Sequence, residues 1–258
     1  MARMQFMNTE IDNLTMDEAL DAMDELIRQR RCAYVITPNV DHLVQLERGG
    51  PLRDAYWEAD LILTDGKPLI WISRWYGTPI KEKISGSDLF PRLCGLAAKK
   101  GYTMYFFGAM EGVAAKAAEN LTARYPGLKV VGTYSPPYGF EKDEQEMARI
   151  REMIRAVAPD ILIVGLGCPK QELFILHHRE ELGVPLSLGL GASLDFEAGN
   201  IKRAPKWMAD HGMEWIFRIS QDPKRLAKRY LIDDRKIIGM AIKYRKQMKR
   251  TAKQEIKG

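Results

Sequence analysis

Asp65 is the residue whose surroundings in the sequence most directly suggest chemistry. It follows a short apolar segment, 61–63, and precedes Gly66, an arrangement typical of the end of a β-strand. A carboxylate at the mouth of a crevice can act as a general base and take a proton from an attacking hydroxyl group. Aspartate is also a favoured N-cap of helices, so the sequence leaves a catalytic role and a capping role open.

Glycine and small polar residues at the ends of other apolar segments form a second group of candidates for substrate contact. The unpaired N–H groups at the start of a helix can bind phosphate, and glycine lets the backbone approach an anion. The third glycine of a dinucleotide-binding fingerprint is missing, however, and tight strand-to-helix turns need glycine in any case. Phosphate contact and simple turn formation therefore both stay open. The residues concerned are Gly108, Gly165, Gly167, Lys170 and Ser193.

The sequence carries no motif for a metal-dependent reaction. It lacks an Asp-x-Asp pair, which commonly holds Mg²⁺ or Mn²⁺ on the diphosphate of a sugar nucleotide. His42 and His211 are isolated, while His177 and His178 are adjacent and would face different directions on a helix. We therefore expect solvated or packing roles for all four histidines, with no metal site and no cofactor.

Three arginines near the C-terminus are the available cations for a diphosphate. Without a metal ion, guanidinium groups or helix N-termini must neutralise the charge that grows on a departing diphosphate. Aromatic residues, among them Trp215 and Tyr230, lie close to these arginines in the sequence. A solvated basic face is the simpler alternative, and the sequence does not decide between them. The arginines are Arg218, Arg225 and Arg229.

These residues require a framework that brings strand ends together. A capping box at residues 15–18 predicts a helix that reaches about Arg30. Beyond it, short apolar segments alternate with amphipathic stretches of helix length, which is typical of an α/β fold with a Rossmann-like, mostly parallel sheet flanked by helices. The ligand crevice of such a sheet lies beyond the carboxyl ends of its strands. The predicted strands are 32–36, 61–63, 103–107, 129–134, 161–164 and 186–190, and the predicted crossover helices are 112–125, 143–157 and 169–182.

The C-terminal segment differs in charge from the rest of the chain. Residues 202–258 contain 17 basic and 6 acidic residues, a net charge of +11, whereas residues 1–201 have a net charge of −6. We expect an α/β core at 1–199 and a basic helical appendage at 200–258. In the appendage the pattern predicts a helix from Trp207 to about Ile219, a break at Asp222-Pro223 and a long basic helix beyond. That last helix carries an apolar stripe formed by Leu226, Tyr230, Ile237, Ala241, Tyr244 and Met248.

A basic, amphipathic helix can serve several partners. It can lie on an anionic membrane surface, pack against another subunit in a homo-oligomer, or bind nucleic acid. No nucleic-acid-binding motif accompanies it, so the positive charge is the only argument for nucleic-acid binding. Nucleic acid is therefore not expected as a partner. The three cysteines show no disulfide or zinc spacing, and no leader or membrane-spanning segment is evident, which favours a cytoplasmic location.

Several motifs, taken in order, resemble one known family. The chain is similar to the WecG/TagA/CpsF glycosyltransferases, glycosyltransferase family 26, over roughly residues 8–235. The motifs are Thr37-Pro-Asn-Val-Asp41, Leu63-Thr-Asp-Gly66, Gly165-Leu-Gly-Cys-Pro-Lys-Gln-Glu172, Gly191-Ala-Ser-Leu-Asp-Phe-Glu-Ala-Gly199, Arg203-Ala-Pro-Lys-Trp-Met208 and Glu214-Trp215 through Arg229-Tyr230.

The resemblance implies an inverting, metal-independent enzyme at the inner face of the plasma membrane. Such an enzyme transfers a sugar from a UDP-sugar donor to a polyprenyl-diphosphate-linked sugar acceptor. In wall teichoic acid linkage-unit synthesis the donor is UDP-N-acetylmannosamine and the acceptor is N-acetylglucosaminyl-diphospho-undecaprenol. Other members use uronic acid donors for exopolysaccharide or enterobacterial common antigen, so the donor and the pathway stay open.

The resemblance also implies roles for individual residues. Asp65 matches the family's proposed catalytic base. Thr37, Asn39 and Gln171 match pocket residues of the family. Arg218, Arg225 and Arg229 match family arginines that are thought to reach the diphosphate when the appendage closes over the site. Residues after about Arg235 depart from the family pattern, so membrane attachment through them is an inference from their composition. The rival hypothesis is a non-catalytic nucleotide-binding module whose basic tail contacts nucleic acid or a protein.

Overall fold

The strands form one parallel sheet and one small antiparallel hairpin. This computed structural model describes residues 3–205, 207–208 and 211–255, apart from the side chains of Arg225 and of residues 251–255. The strands are β1 (Met4–Phe6), β2 (Thr9–Ile11), β3 (Ala33–Ile36), β4 (Leu61–Ile62), β5 (Thr103–Gly108), β6 (Lys129–Tyr134), β7 (Ile161–Gly165) and β8 (Leu186–Gly189). Strands β3 to β8 form the six-stranded sheet in the order β4-β3-β8-β7-β5-β6, and every pair in it is parallel.

Helices cover both faces of this sheet, which confirms the predicted α/β class. The predicted strands and crossover helices are all found, and their ends differ from the predicted ends by no more than one residue. The helices before the appendage are α1 (Met16–Gln29), α2 (Val40–Arg48), α3 (Leu52–Trp57), α4 (Lys67–Tyr76), α5 (Gly86–Lys100), α6 (Val113–Arg124), α7 (Glu144–Val157), α8 (Lys170–Leu182) and α9 (Ser193–Ala198).

Helices on both faces of the sheet bury its central strands along their whole length. All residues of β3, β7 and β8 are buried, as expected for parallel strands that are covered on both faces. The two resulting apolar clusters lie on opposite faces of the sheet. The predicted capping box is also present, because the Thr15 hydroxyl accepts from the Glu18 N–H and Glu18 accepts from the Thr15 N–H.

The appendage is more segmented than the sequence predicted. It contains α10 (Glu214–Gln221), α11 (Pro223–Lys228), a π-helical turn (Arg229–Asp233) and α12 (Lys236–Glu255). The helix predicted from Trp207 to about Ile219 is interrupted: Trp207 and Met208 are helical, Gly212 adopts a positive φ of 71° in a turn, and a second helix begins at Glu214. A Cβ atom at Gly212 would lie 2.5 Å from the Trp71 ring, so this turn packs directly on α4.

The apolar stripe of the last helix faces the protein's own core. Ile237 and Ala241 are buried with Met240 in the cluster on one face of the sheet, and the Tyr76 hydroxyl donates to the Ala241 carbonyl at 2.7 Å. Ile237 and Ala241 are therefore not available to a membrane or a second subunit, whereas Met248 at the far end of the stripe is 36% exposed. An amphipathic pattern identifies one apolar face but not what covers it.

No helix among the described residues is both long enough and apolar enough to cross a membrane.

Candidate active site

A cavity of about 650 Å³ lies beyond the carboxyl ends of β3, β4, β7 and β8, where the fold predicts the ligand crevice. Residues 212–238 of the appendage contribute one of its walls. The structure thus brings together most of the residues singled out in the sequence. Those that line the cavity are Thr37, Asn39, Asp65, Gly167, Gln171, Ser193, Arg218 and Arg229.

Asp65 lies in this cavity and does not cap a helix. The N-cap of α4 is Gly66, with φ at 101°, and no side chain caps that helix. The backbone N–H of Asp65 donates to the Pro38 carbonyl at 2.8 Å, which fixes the residue between the ends of β3 and β4. Of the two roles left open by the sequence, the cap is therefore excluded. The carboxylate is free to serve a ligand.

Burial and neighbouring charges shift the pKa of the Asp65 carboxyl. Burial raises its pKa to about 6, with Lys83 acting against this rise and Glu214 adding to it. A carboxylate of that basicity is mostly ionised at neutral pH, yet it accepts a proton more readily than an exposed aspartate. These properties suit a general base.

Lys83 and Glu214 are cavity residues that sequence reasoning missed. Lys83 Nζ lies 2.7 Å from Asp88 Oδ2 and 3.2 Å from Ser85 Oγ. Burial opposes the charge of Lys83, but Asp65 and Asp88 raise its pKa overall, so it remains a cation beside Asp65. The only local signal was Ser85, the N-cap of α5, and it indicates a helix start rather than a site.

Asn39 combines a capping role with a place in the cavity. Its Oδ1 accepts from the backbone N–H groups of Asp41 at 3.0 Å and His42 at 3.4 Å, which starts α2. Arg229 Nη2 donates to the same oxygen at 3.4 Å. Among the described contacts, none uses the Asn39 Nδ2 group, which leaves a donor for a ligand.

Gln171 joins two of the strand-end loops. Its Oε1 accepts from the Gly191 N–H at 2.8 Å and the Gly167 N–H at 3.2 Å, and its Nε2 donates to Glu172 Oε1 at 2.7 Å. Both ends of the amide are thus engaged within the protein. Gln171 therefore shapes the cavity by holding the loops after β7 and β8 together.

Three other candidates, Gly108, Gly165 and Lys170, do not line the cavity. A Cβ atom on Gly108 would lie 2.6 Å from the Gly165 carbonyl oxygen, so Gly108 allows the ends of β5 and β7 to approach closely, whereas a Cβ atom on Gly165 would lie 2.8 Å from Leu194 Cδ1. Lys170 is exposed, pairs with Glu141 and lies 5.1 Å from the centre of the Tyr138 ring. Close packing against neighbouring atoms accounts for both glycines.

Two of the three arginines reach the cavity. The Arg218 guanidinium lies 5.8 Å from the centre of the Phe196 ring, and its buried Nε has no hydrogen-bond partner among the described residues. Arg229 Nε lies 3.6 Å from Asp41 Oδ2 and 3.9 Å from Asp234 Oδ2. The side chain of Arg225 lies outside the described residues. An unpartnered guanidinium N–H at a cavity wall is suited to bind an anion.

The structure corrects the expectation that no histidine joins other potential metal ligands. His42, Cys168 and Glu172 lie together, with one possible ligand atom from each within 4.8 Å of the others. His42 and Glu172 are 130 positions apart in the sequence, and the parallel sheet brings their loops together. Sequence spacing alone cannot reveal such a contact.

The chain matches the family model described as "Glycosyl transferase WecG/TagA/CpsF family" over residues 4–251. A Bacillus spizizenii protein is 34% identical over 197 residues, covering 76% of this chain and 74% of that protein. A Bacillus subtilis protein is 30% identical, covering 83% and 81%, and a Staphylococcus aureus protein is 25% identical, covering 88% of each. All three are named N-acetylglucosaminyldiphosphoundecaprenol N-acetyl-beta-D-mannosaminyltransferase. The cavity with its aspartate and arginines thus lies in a chain that belongs to the WecG/TagA/CpsF glycosyl transferase family.

Proposed function

We propose that this protein transfers N-acetylmannosamine from UDP-N-acetylmannosamine to N-acetylglucosaminyl-diphospho-undecaprenol, the step that forms the linkage unit of wall teichoic acid. The names of three relatives support the substrates. The observation that carries the chemistry is Asp65, a half-buried carboxyl with a raised pKa in a cavity that also holds arginine side chains.

The proposed mechanism is a single displacement with inversion. Asp65 takes the proton of the acceptor hydroxyl as that oxygen attacks the anomeric carbon of the donor. The bond from this carbon to the diphosphate breaks at the same time, and the electron pair leaves with UDP. Arg218 and Arg229 stabilise the negative charge that grows on the diphosphate. We propose that no divalent cation is needed, in keeping with the absence of an Asp-x-Asp pair.

We further propose that residues 1–199 form the catalytic core and residues 200–258 an appendage that completes the site. Contacts between the two parts support this division. Arg203 pairs with Asp88 at 2.8 Å near Lys83, and Arg229 reaches Asn39. These contacts hold the appendage against the core, where Arg218 and Arg229 line the cavity.

We also propose peripheral attachment to the inner face of the plasma membrane, through a surface that we call the tryptophan surface. It consists of Trp71 and Trp75 on α4 with Ile238 and Ile242 on α12. Each pair is spaced by four residues, so its members lie on one face of a helix. Ile238 is 65% exposed and Ile242 is 44% exposed, and both tryptophans are about half exposed.

The position of the tryptophan surface suits a lipid-linked acceptor. Lys67 and Pro68 at the start of α4 line the cavity, as does Ile238, so the surface extends outward from the cavity mouth. The Arg245 guanidinium lies 4.1 Å from the centre of the Trp75 ring and adds positive charge beside the apolar groups. Tryptophan beside basic residues is favoured at the boundary between lipid headgroups and acyl chains. A prenyl chain in the membrane would then keep its diphosphate and sugar near the cavity.

The experiment that tests the function is UDP release from a panel of UDP-sugars, with and without the lipid-linked N-acetylglucosamine acceptor. EDTA is present throughout. We expect release from UDP-N-acetylmannosamine that requires the acceptor. Preference for a uronic acid donor would change the proposed pathway, an absolute need for divalent metal would contradict the metal-independent mechanism, and no release from any donor would contradict the function.

A further inference from the structure

The ion pair between Lys83 and Asp88 lies at the wall of the cavity and takes no part in the mechanism described above. Lys83 Nζ lies 2.7 Å from Asp88 Oδ2 and 3.2 Å from Ser85 Oγ. Ser85 Oγ donates to Asp88 Oδ2 at 2.6 Å, and the other oxygen, Asp88 Oδ1, accepts from Arg203 Nη1 at 2.8 Å. The Asp88 carboxylate is thus fixed from both sides, and it holds the Lys83 ammonium group together with Ser85.

Lys83 and Asp88 both carry charge near neutral pH. Burial opposes the charge of Asp88, but hydrogen bonds from Lys83 and Ser85 outweigh burial and lower the pKa of Asp88. Burial also opposes the charge of Lys83, but Asp65 and Asp88 raise its pKa overall. The side chains of Lys83 and Asp88 are 22% and 38% exposed, so solvent screens this pair only in part.

Lys83 lies beside Asp65 without forming an ion pair with it. The Ile84 N–H donates to the Thr64 carbonyl at 2.8 Å, so residues 83 and 65 flank one backbone hydrogen bond, and both side chains line the cavity. Lys83 acts on Asp65 through its charge, whereas its hydrogen bonds go to Asp88 and Ser85. The Asp65 carboxylate forms no hydrogen bond with any described side chain.

A general base needs a carboxylate that is free in this way. An ammonium group bonded to a carboxylate stabilises the ionised form and lowers the pKa of the acid. It also occupies an oxygen atom that has to accept the proton of the substrate. Contact between Lys83 and Asp65 would therefore make Asp65 a weaker base and would block it in part.

We propose that Asp88 is a positioning residue for the base, because it holds the Lys83 ammonium group away from the Asp65 carboxylate. The inference rests on the function proposed above, in which Asp65 accepts the proton of the acceptor hydroxyl. Without Asp88, Lys83 loses its carboxylate partner. Of the carboxylates that remain, Asp65 acts on Lys83 more strongly than Glu214 does, so Lys83 then pairs with Asp65.

The other groups that face Asp65 come from α4 and from the appendage. Lys67 of α4 lines the same cavity. Glu214 and Arg218 of α10 act on the pKa of Asp65 with opposite signs, and Tyr230 of the π-helical turn lies near it. Burial raises the pKa of Tyr230, so that group is neutral near pH 7. None of these groups forms a described hydrogen bond with Lys83, which leaves Asp88 and Ser85 to hold it.

The main test introduces Asp88→Ala into the wild type and into Lys83→Met. In the wild type we expect Asp88→Ala to lower kcat about tenfold, because Lys83 then pairs with the base. In Lys83→Met the same change should alter kcat less than about twofold, since no ammonium group remains to pair with Asp65. Asp17→Asn is the matched control, because Asp17 pairs with Arg92 on the exposed side of α5, and it should leave kcat unchanged. An equal loss of kcat in both backgrounds would overturn the proposal.

A second readout follows Asp65 directly and does not need turnover. The carboxyl ¹³C resonance of Asp65, assigned by its loss in Asp65→Asn, is titrated in each variant. Its midpoint should lie near pH 6 in the wild type, at lower pH in Asp88→Ala, where Lys83 approaches, and at higher pH in Lys83→Met, where the cation is lost. Asp88→Ala should shift the midpoint at least about twice as far with Lys83 present as in Lys83→Met, where only the lost charge of Asp88 acts.

Equal shifts in the two backgrounds, or no shift in either, would overturn the proposal. Asp88→Asn keeps the shape of the side chain and is titrated in the same way if the alanine variant does not fold. If the wild type transfers no sugar, the proposed function fails, while the titrations of Asp65 still decide whether Asp88 keeps Lys83 away from it.

Discussion

Arg229 and Asn39 are 190 positions apart in the sequence, yet Arg229 Nη2 donates to Asn39 Oδ1 at 3.4 Å. This contact joins the appendage to the N-cap of α2, at the edge of the cavity that holds Asp65. The buried Arg229 Nε has no hydrogen-bond partner among the described residues. The appendage therefore brings a guanidinium group to the cavity, with its Nε 3.6 Å from Asp41 Oδ2 and 3.9 Å from Asp234 Oδ2.

The pH dependence of turnover should follow the ionisation of Asp65. Burial raises its pKa to about 6, and only the deprotonated form can act as the base. We expect kcat/KM to rise tenfold per pH unit below about 6 and to level off above it. The pKa of Asp234 is also raised to about 6 by burial, so Asp234→Asn is the control. We expect Asp234→Asn to show the same fall in kcat/KM below about pH 6. If that fall were lost in Asp234→Asn, the assignment to Asp65 would be contradicted.

Replacing Arg218 should affect the chemical step more than donor binding. The charge on the departing diphosphate is larger in the transition state than in the bound donor, so the guanidinium stabilises the transition state more. We expect Arg218→Gln to lower kcat by about 10²-fold and to raise the donor KM by less than about tenfold. Steady-state kinetics with saturating acceptor measures both quantities. An unchanged kcat would show that Arg218 belongs to a solvated basic face.

The tryptophan surface predicts a specific loss of membrane binding. Trp71→Ser combined with Trp75→Ser removes its two largest apolar groups, and we expect co-sedimentation with anionic vesicles to fall at least about tenfold. Trp57→Ser is the matched control, since Trp57 is equally exposed but lies on α3, which packs on α2 and α8. Equal vesicle binding by the double variant and the wild type would exclude this surface as the attachment site.

Removing the last helix should destabilise the fold. A chain ending at Arg235 loses Ile237, Met240 and Ala241, which are buried against the core. Loss of buried aliphatic side chains costs about 2–5 kcal/mol for each large residue, so we expect a clearly lower Tm. A chain ending at Arg250 keeps these contacts and is the control. An unchanged Tm for the shorter chain would mean that the helix does not pack on the core in solution.

The framework could be predicted from the sequence because its signals are local. Buried parallel strands are continuous apolar segments, and the Thr15 capping box needs only four residues. Asp65 was identified in the same way, from its place after a strand. Whether it caps a helix depends on the conformation of Gly66, which the sequence leaves open.

The remainder of the site depends on contacts between distant segments. Lys83 lies near Asp65 because the segment before α5 runs beside the end of β4, where the Ile84 N–H donates to the Thr64 carbonyl at 2.8 Å, and no local pattern marks Lys83. His42 and Glu172 are joined by the order of strands in the sheet. The inward orientation of Ile237 was equally hidden, because periodicity defines an apolar face without naming its partner.

The most direct test of the account is a side-by-side assay of the wild type and Asp65→Asn. UDP release from UDP-N-acetylmannosamine is measured with the lipid-linked acceptor and EDTA present, and UDP affinity is measured by calorimetry. We expect Asp65→Asn to lose at least about 10²-fold in kcat while its Kd for UDP changes less than about threefold. Retention of most of the wild-type turnover by Asp65→Asn would contradict the central claim that Asp65 is the base.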